Sequence, residues 1–225
     1  MKQLHIALFT LTFLFCLFCS CEKEVEEVAS FPITLYVSEI SEVKDIRLFV
    51  KNTEVFDQTT INNFIDDDFI FDPNSIKLTK INSMTFNSMD SVIFESNHQQ
   101  YSVHKTADQF LFYSSDYIKF VVKQTSFLKH RSEQISIPLI FGYQYAEKDV
   151  MVGYGSYTNF EMSFLIYKLH EYLYNNNELA YRGSIRGGTS NEFNEDFIHE
   201  LGTTDTLAIR EIKIRFVKKQ HSQKV

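Results

Sequence analysis

Short runs in which apolar and polar residues alternate dominate the chain from Phe31 onward. Successive side chains of a β-strand point to opposite faces, so this period of two marks half-buried strands. The clearest run is Thr206 to Lys218, with Ile212, Ile214 and Phe216 on one face and Lys213 and Arg215 on the other. Upstream, Leu207 and Ile209 have the opposite parity. A bulge near Arg210-Glu211 is therefore expected, because one extra residue would bring all five onto one side. Ile33, Leu35 and Val37 alternate with Thr34 and Tyr36, and Asp45 to Lys51 reads through Ile46, Leu48 and Val50. Asp67 to Phe71, Ser75 to Ile81, Ser91 to Glu95, Gln99 to His104 and Gln109 to Ser114 are shorter candidates. Tyr117 to Thr125 is β-branched and aromatic throughout. Gln134 to Tyr145 reads as one strand, with Ile135, Ile137, Leu139, Phe141 and Tyr143 on a single face. Pro138 falls on its other face, the mark of an edge strand or a bulge.

Thr158 to Tyr174 fits two periods. As a helix, Met162, Leu165, Ile166, Leu169 and Leu173 form one stripe; as a strand, Phe160, Met162, Phe164 and Ile166 alternate. Asn175-Asn176-Asn177 then supplies turn chemistry, and Glu178 to Ile185 reads as a return strand. A long hairpin is predicted. Thr59 to Ile65 and Asn191 to Leu201, the latter with Phe193, Phe197, Ile198 and Leu201 at helical spacing, are predicted short helices. The expected fold is mainly β, an antiparallel sandwich or barrel with one or two short helices. The alternative is α+β with a helix at 158–174. No Pro-rich or Gly/Ser-rich linker lies between residues 31 and 218, so one domain is expected there, followed by a polar tail at 219–225. The segment 126–133 would be its least unfavourable break.

All three cysteines, Cys16, Cys19 and Cys21, fall at the start of the chain, and none follows Cys21. A disulfide framework would spread its cysteines through the fold, so this one has none. Lys2 precedes an almost wholly apolar run from Ile6 to Phe18, which has the parts of a secretory signal. The run is about 13 residues, short of the roughly 20 that a membrane-spanning helix needs. Phe18-Cys19-Ser20-Cys21 resembles the lipobox of bacterial lipoproteins, with Phe18 where Leu is usual and Cys19 where Ala or Ser is commoner. The resemblance covers only the leader. It implies a signal peptide at 1–20 removed before Cys21, and a diacylglyceryl group on the Cys21 sulfur. Two or more acyl chains would anchor the chain stably. Residues 22–30, with four Glu, then read as a solvated acidic tether. Glu22-Lys23-Glu24 is similar to the surface-export signal of Bacteroidota lipoproteins.

Without residues 1–20 the chain keeps 21 Lys and Arg against 29 Asp and Glu, a formal charge of −8. A chain this acidic, with no basic stripe, is not expected to bind nucleic acid. An anionic membrane surface would repel it, leaving the acyl chains to hold it there. The 22 Phe and 12 Tyr indicate a sizeable core.

Candidate sites are few. Asp66-Asp67-Asp68 with Asp72 is the densest acidic cluster, but it lacks the Gly and the spacing of a calcium loop and reads as a solvated turn. His170-Glu171 and His199-Glu200 are neighbours that no strand or helix aims at one point. No metal site and no cofactor is expected. Gly153-Tyr154-Gly155-Ser156-Tyr157 is the most distinctive loop. Its glycines permit close approach, and Tyr154 and Tyr157 are the candidate binding residues. In an extended conformation the two rings lie on opposite faces, so only one can enter the core. The loop lacks the form of a dinucleotide site, Gly187-Gly188-Thr189-Ser190 lacks the Lys of a phosphate loop, and no nucleophile elbow is present. An ordinary turn accounts for both loops.

The expectation is a lipid-anchored protein of a Bacteroidota-type cell envelope, on the periplasmic or surface face of the outer membrane. It would act as a non-enzymatic binding or interaction module for a protein or small-molecule ligand. The alternatives are an envelope hydrolase whose acidic residues meet only in the fold, and a fimbrial or adhesin-like structural subunit.

Overall fold

The computed structural model describes residues 30–66, 69–73, 83–95, 98–120, 127–139, 142–175 and 178–218. From Phe31 onward the chain forms one compact unit. The alternating runs become β1 (Ile33–Val43), β2 (Arg47–Val50), β3 (Thr53–Val55), β4 (Ser83–Ser88), β5 (Ser91–Phe94), β6 (Gln99–Lys105), β7 (Gln109–Phe120), β8 (Ile135–Leu139), β9 (Gly142–Gly155), β10 (Asn159–Asn175), β11 (Glu178–Thr189) and β12 (Thr206–Lys218). One α-helix, α1 (Gln58–Ile65), and 3₁₀ turns at Phe69–Phe71 and Glu195–Glu200 complete the described elements.

Eight strands close into an antiparallel barrel. Around it, β1, β4, β5, β6, β7, β9, β10 and β12 each pair with the next, and β12 returns to β1. Closure removes the open edges that a flat sheet would leave. The inward positions carry large apolar side chains. Phe86, Phe110, Phe112, Phe160 and Phe216 are all fully buried. Phe86 on β4 lies 6.1 Å from Phe110 on β7, so rings meet across the interior. An eight-stranded barrel is just wide enough for side chains to fill. Each such ring contributes on the order of 2–3 kcal/mol by burial. The outward positions are charged. Arg215 bridges Glu161 and Glu39 across three adjacent strands, each contact 2.9 Å. An apolar interior with a charged exterior is the reverse of a membrane-spanning barrel. Among the described residues no helix is long and apolar enough to cross a membrane.

Beyond the barrel β10 and β12 keep pairing with each other, and they change their outer partners. β10 leaves β9 after Met162 and takes up β11, while β12 passes from β1 to β2 below Ile212. The result is a flap of five strands, β11-β10-β12-β2-β3, covered on both faces. On the face continuous with the barrel interior, Leu48, Ile166, Ala208 and Ile212 pack under Ile61 of α1 and Phe71. Asp57 caps α1 by accepting from Thr60 N at 2.7 Å, and Lys168 Nζ donates to the Phe64 carbonyl. On the opposite face, Phe49, Leu165, Leu169, Leu207 and Ile209 pack under Phe127, Phe193, Phe197 and Leu201.

This double cover corrects the expected bulge in β12. Its pairing with β10 runs without a shift from Thr206 to Val217. Leu207 and Ile209 stay on the face opposite Ile212, Ile214 and Phe216, and all five are buried, Leu207, Ile209 and Ile212 under the covers of the two flap faces and Ile214 and Phe216 in the barrel stretch of β12. The register shifts lie in β1, between Val37 and Glu39 and between Ile40 and Glu42. Gln134 to Tyr145 is likewise not one strand: β8 and β9 pair as a hairpin, with Pro138 opposite Tyr143. Among the described strands β8 pairs only with β9, the edge position that Pro138 favours. Phe69 to Phe71 is a 3₁₀ turn rather than a strand, since Phe71 is buried beneath the flap while Phe69 is 72% exposed. Gln109 to Ser114 and the start of Tyr117 to Thr125 are a single strand, β7, interrupted by a bulge between Tyr113 and Tyr117. The long hairpin is present as β10 and β11, and no helix occupies 158–174. The predicted helix at Asn191 to Leu201 is a six-residue 3₁₀ turn within that range. The leader with Cys21, the tether before Ser30, Asp67, Asp68, the candidate strand Ser75 to Ile81, residues 121–126, Asn176, Asn177 and the tail 219–225 lie outside the described residues.

Candidate functional site

Where β10 swings away from β9, the wall of the barrel has a seam. The β9 backbone from Lys148 to Val152 would lack partners there, and an unpaired buried peptide group costs on the order of 1–3 kcal/mol. Two crossing segments, 127–133 and 190–193, supply the missing bonds. Val152 N donates to Ser190 O at 2.9 Å. Ser132 Oγ accepts from Lys148 N at 2.6 Å and donates to Lys148 O at 3.0 Å. Asn191, only 1% exposed, donates through Nδ2 to Val150 O and His130 O, each at 2.8 Å. Its Oδ1 accepts from His130 N and Glu192 N. One amide thus ties three backbone segments.

The seam places Glu192 over the outer face of the barrel. Its carboxylate accepts from Tyr154 Oη at 2.5 Å, Lys129 Nζ at 2.9 Å, His130 Nε2 at 3.2 Å and Ser163 Oγ at 3.4 Å. For that bond His130 Nε2 carries the proton. Gln109 Nε2 donates to Tyr154 Oη at 3.2 Å. Burial by itself would raise the Glu192 carboxyl. Hydrogen bonds from His130, Tyr154 and Lys129 outweigh it and hold the group well below the usual carboxylate range. Burial, and then the bond to the Glu192 anion, push the Tyr154 phenol up to about 12.

Outside Glu192 lies an open groove of about 570 Å³, lined by Lys44, Lys129, Phe193, Asn194, Glu195, Asp196 and Glu211. Its charges are mixed. Lys44 pairs with Glu211 at 2.7 Å, and the lining residue Glu195 is held at 2.6 Å by Arg47, which also holds Glu54 at 2.8 Å. The Lys44, Lys129 and Glu195 side chains remain 52%, 54% and 59% exposed. They are partly solvated ions on a rim, able to exchange an internal partner for an external one at little cost.

The two tyrosines singled out from the sequence part company. Tyr157 is 7% exposed and packs edge-on against Phe31, Phe86 and Phe110, with centroids 5.1–5.2 Å apart. It is part of the core. Tyr154, on the outer face, is the one in the polar network. Gly153 sits under the Phe160 ring, where a Cβ would come within 1.9 Å of Cζ, and Gly155 has φ +105°. Both glycines answer to packing and backbone conformation. Gly188 similarly lies against the Phe164 ring. Asp66 ends α1 and is exposed with Asp72. His170 packs on the Phe64 ring at 4.6 Å, and His199 lies in the last turn of the 3₁₀ segment. Among the described residues no three His, Cys, Asp or Glu side chains gather into a metal-binding set. Glu192, Asn191, His130 and Ser132 carried no sequence signal, because their relation depends on two segments about 60 residues apart meeting in a seam.

No protein-family model matches the chain, no curated protein matches it, and no solved structure matches it.

Proposed function

We propose that this chain is a lipid-anchored protein of a bacterial cell envelope that works as a non-enzymatic binding module, engaging its partner through the groove beside Glu192. The observation that carries the reading is the state of Glu192. The most strongly perturbed carboxylate of the seam already accepts four hydrogen bonds and lies far below the pKa of a working acid or base. It is a fixed structural anion, and the groove it borders offers several half-exposed charges of both signs. A partner carrying carboxylates and amines suits such a lining. Phe86, Phe110, Phe112, Phe160 and Phe216 fill much of the described barrel interior, and the groove lies on the outside. β12 already pairs with both β1 and β10, so the described barrel has no vacant strand position of the kind a donated strand would fill. That favours a binding module over a fimbrial subunit.

Photo-cross-linking in intact cells tests this reading. A cross-linker at Asp196, in the groove, is expected to give a discrete adduct that is lost when Lys44 and Lys129 are both changed to Glu. The same probe at Gln100, on the outward face of β6, is the control. Equal labelling from both positions, or none from Asp196, overturns the groove as the binding surface.

A further inference from the structure

A second polar cluster lies inside the barrel, apart from the groove. Gly153 and Met151 face inward on β9, and the period of two puts Asp149 and Glu147 on the same inward face. Tyr101, a buried interior ring of β6, donates its hydroxyl to Gln99 Oε1 at 3.1 Å and also lies within hydrogen-bonding reach of Asp149. Opposite Asp149 the β7 bulge turns Ser114 into the gap. Its Oγ accepts from Asp149 N at 2.9 Å and donates to the Asp116 carbonyl at 2.7 Å. Bulges of this kind commonly re-aim a strand next to functional positions.

Glu147 is the anomaly. Its side chain is only 9% exposed, and its Oε2 is buried with no hydrogen-bond partner. Among the described residues the cation paired with it, Arg131, stands 3.8 Å away, beyond hydrogen-bonding distance, and is itself 36% exposed. A buried carboxylate oxygen without a donor costs several kcal/mol unless something positive meets it. The neighbouring Asp149 is a second carboxyl group on the same face of β9. Burial foremost, with the charge of Glu147 contributing, raises the Asp149 carboxyl.

We propose that Glu147 and Asp149 form a site for a hard cation of the calcium type. The donors on hand are all oxygens: two carboxylates from alternate positions of one strand, the Ser114 hydroxyl and the Tyr101 hydroxyl. Oxygen donors select hard cations over thiophilic metals. Two carboxylates, with Arg131 opposing, make a weak site, with Kd on the order of 10⁻⁴–10⁻³ M, the range of extracellular calcium modules. A bound cation would pin β9 to the β7 bulge and so stiffen the wall beside the seam.

The test is thermal unfolding of the purified full-length chain in detergent, with and without 10 mM calcium chloride. The wild-type melting temperature is expected to rise by about 3 °C. Glu147→Gln, which keeps the shape and removes the charge, is expected to melt at or above the calcium-free wild type and to show no calcium response. Arg131→Gln removes the competing cation and is expected to respond at lower calcium concentration than wild type. Terbium luminescence sensitised by Tyr101 gives a second readout: a saturable phase present in wild type and absent from Glu147→Gln. A wild-type protein that ignores calcium, or a Glu147→Gln protein that responds as wild type does, overturns the site.

Discussion

Replacing Glu192 tests the seam where its bonds are densest. The side chain is 15% exposed and accepts from Tyr154, His130, Ser163 and Lys129. Alanine leaves three sheltered donors, on Tyr154, His130 and Ser163, without an acceptor. Each such group costs about 1–3 kcal/mol, and water entering from the adjacent groove keeps each loss near the low end. Lys129 is 54% exposed and adds little. The expected destabilisation is therefore about 3 kcal/mol for Glu192→Ala. For a domain of this size that lowers the melting temperature by roughly 6–12 °C. Glu192→Gln keeps one acceptor and is expected to lose about half as much. Acidity supplies a second test. The folded-state carboxyl lies below its unfolded value, so its contribution is complete above the unfolded pKa of about 4.3 and fades as pH falls toward the folded one. Wild-type stability, followed by far-ultraviolet circular dichroism in urea, should drop between about pH 5 and pH 2 more steeply than that of Glu192→Gln. Equal acid slopes, or a Glu192→Ala protein melting within about 2 °C of wild type at pH 7, would refute the reasoning.

Other substitutions probe separate links. Gly153→Ala drives a methyl into the Phe160 ring and is expected to cost about 1–3 kcal/mol, read as a shift in the urea midpoint. Tyr157→Ala opens a core cavity worth about 3–5 kcal/mol, whereas Tyr154→Phe loses one hydrogen bond to a charged acceptor and about 1.5 kcal/mol. Comparable losses at the two positions would contradict their assignment to opposite sides of the wall. With its phenol raised to about 12, Tyr154 favours the folded state fully below the ordinary value of 10.0, and this contribution is lost as pH rises through the folded value. Removing the ring hydroxyl in Tyr154→Phe should flatten the stability curve between those two values.

Alternation made the strands legible, and it also misled where its premise failed. A single buried face is assumed when Leu207 and Ile209 are moved onto the side of Ile212 by a bulge. The flap buries both faces, so parity changes in what covers the strand while the strand itself runs on. The hairpin of β8 and β9 was hidden because Ile140 and Phe141, between the paired Leu139 and Gly142, continue the apolar pattern and leave Gly142 as the one turn signal there. β4 was missed because Met84 and Phe86 are its only large inward residues, too few to show a period. The hairpin of β10 and β11 was legible because three Asn mark its turn. Opposite parity made it legible that only one ring of the pair enters the core, and the one left outside is Tyr154. Its partner Glu192 could not be found, because a seam is a property of strands diverging in space and leaves no periodic trace.

The proposed role depends on the chain being held at a membrane through Cys21, the last of its cysteines. Metabolic labelling with an alkyne fatty acid tests this directly. The wild-type protein is expected to carry the label and to sediment with membranes. Cys21→Ser is expected to lose the label and either to appear in the soluble envelope fraction or to accumulate as unprocessed precursor. Label retained on Cys21→Ser, or none on the wild-type chain, would contradict the account.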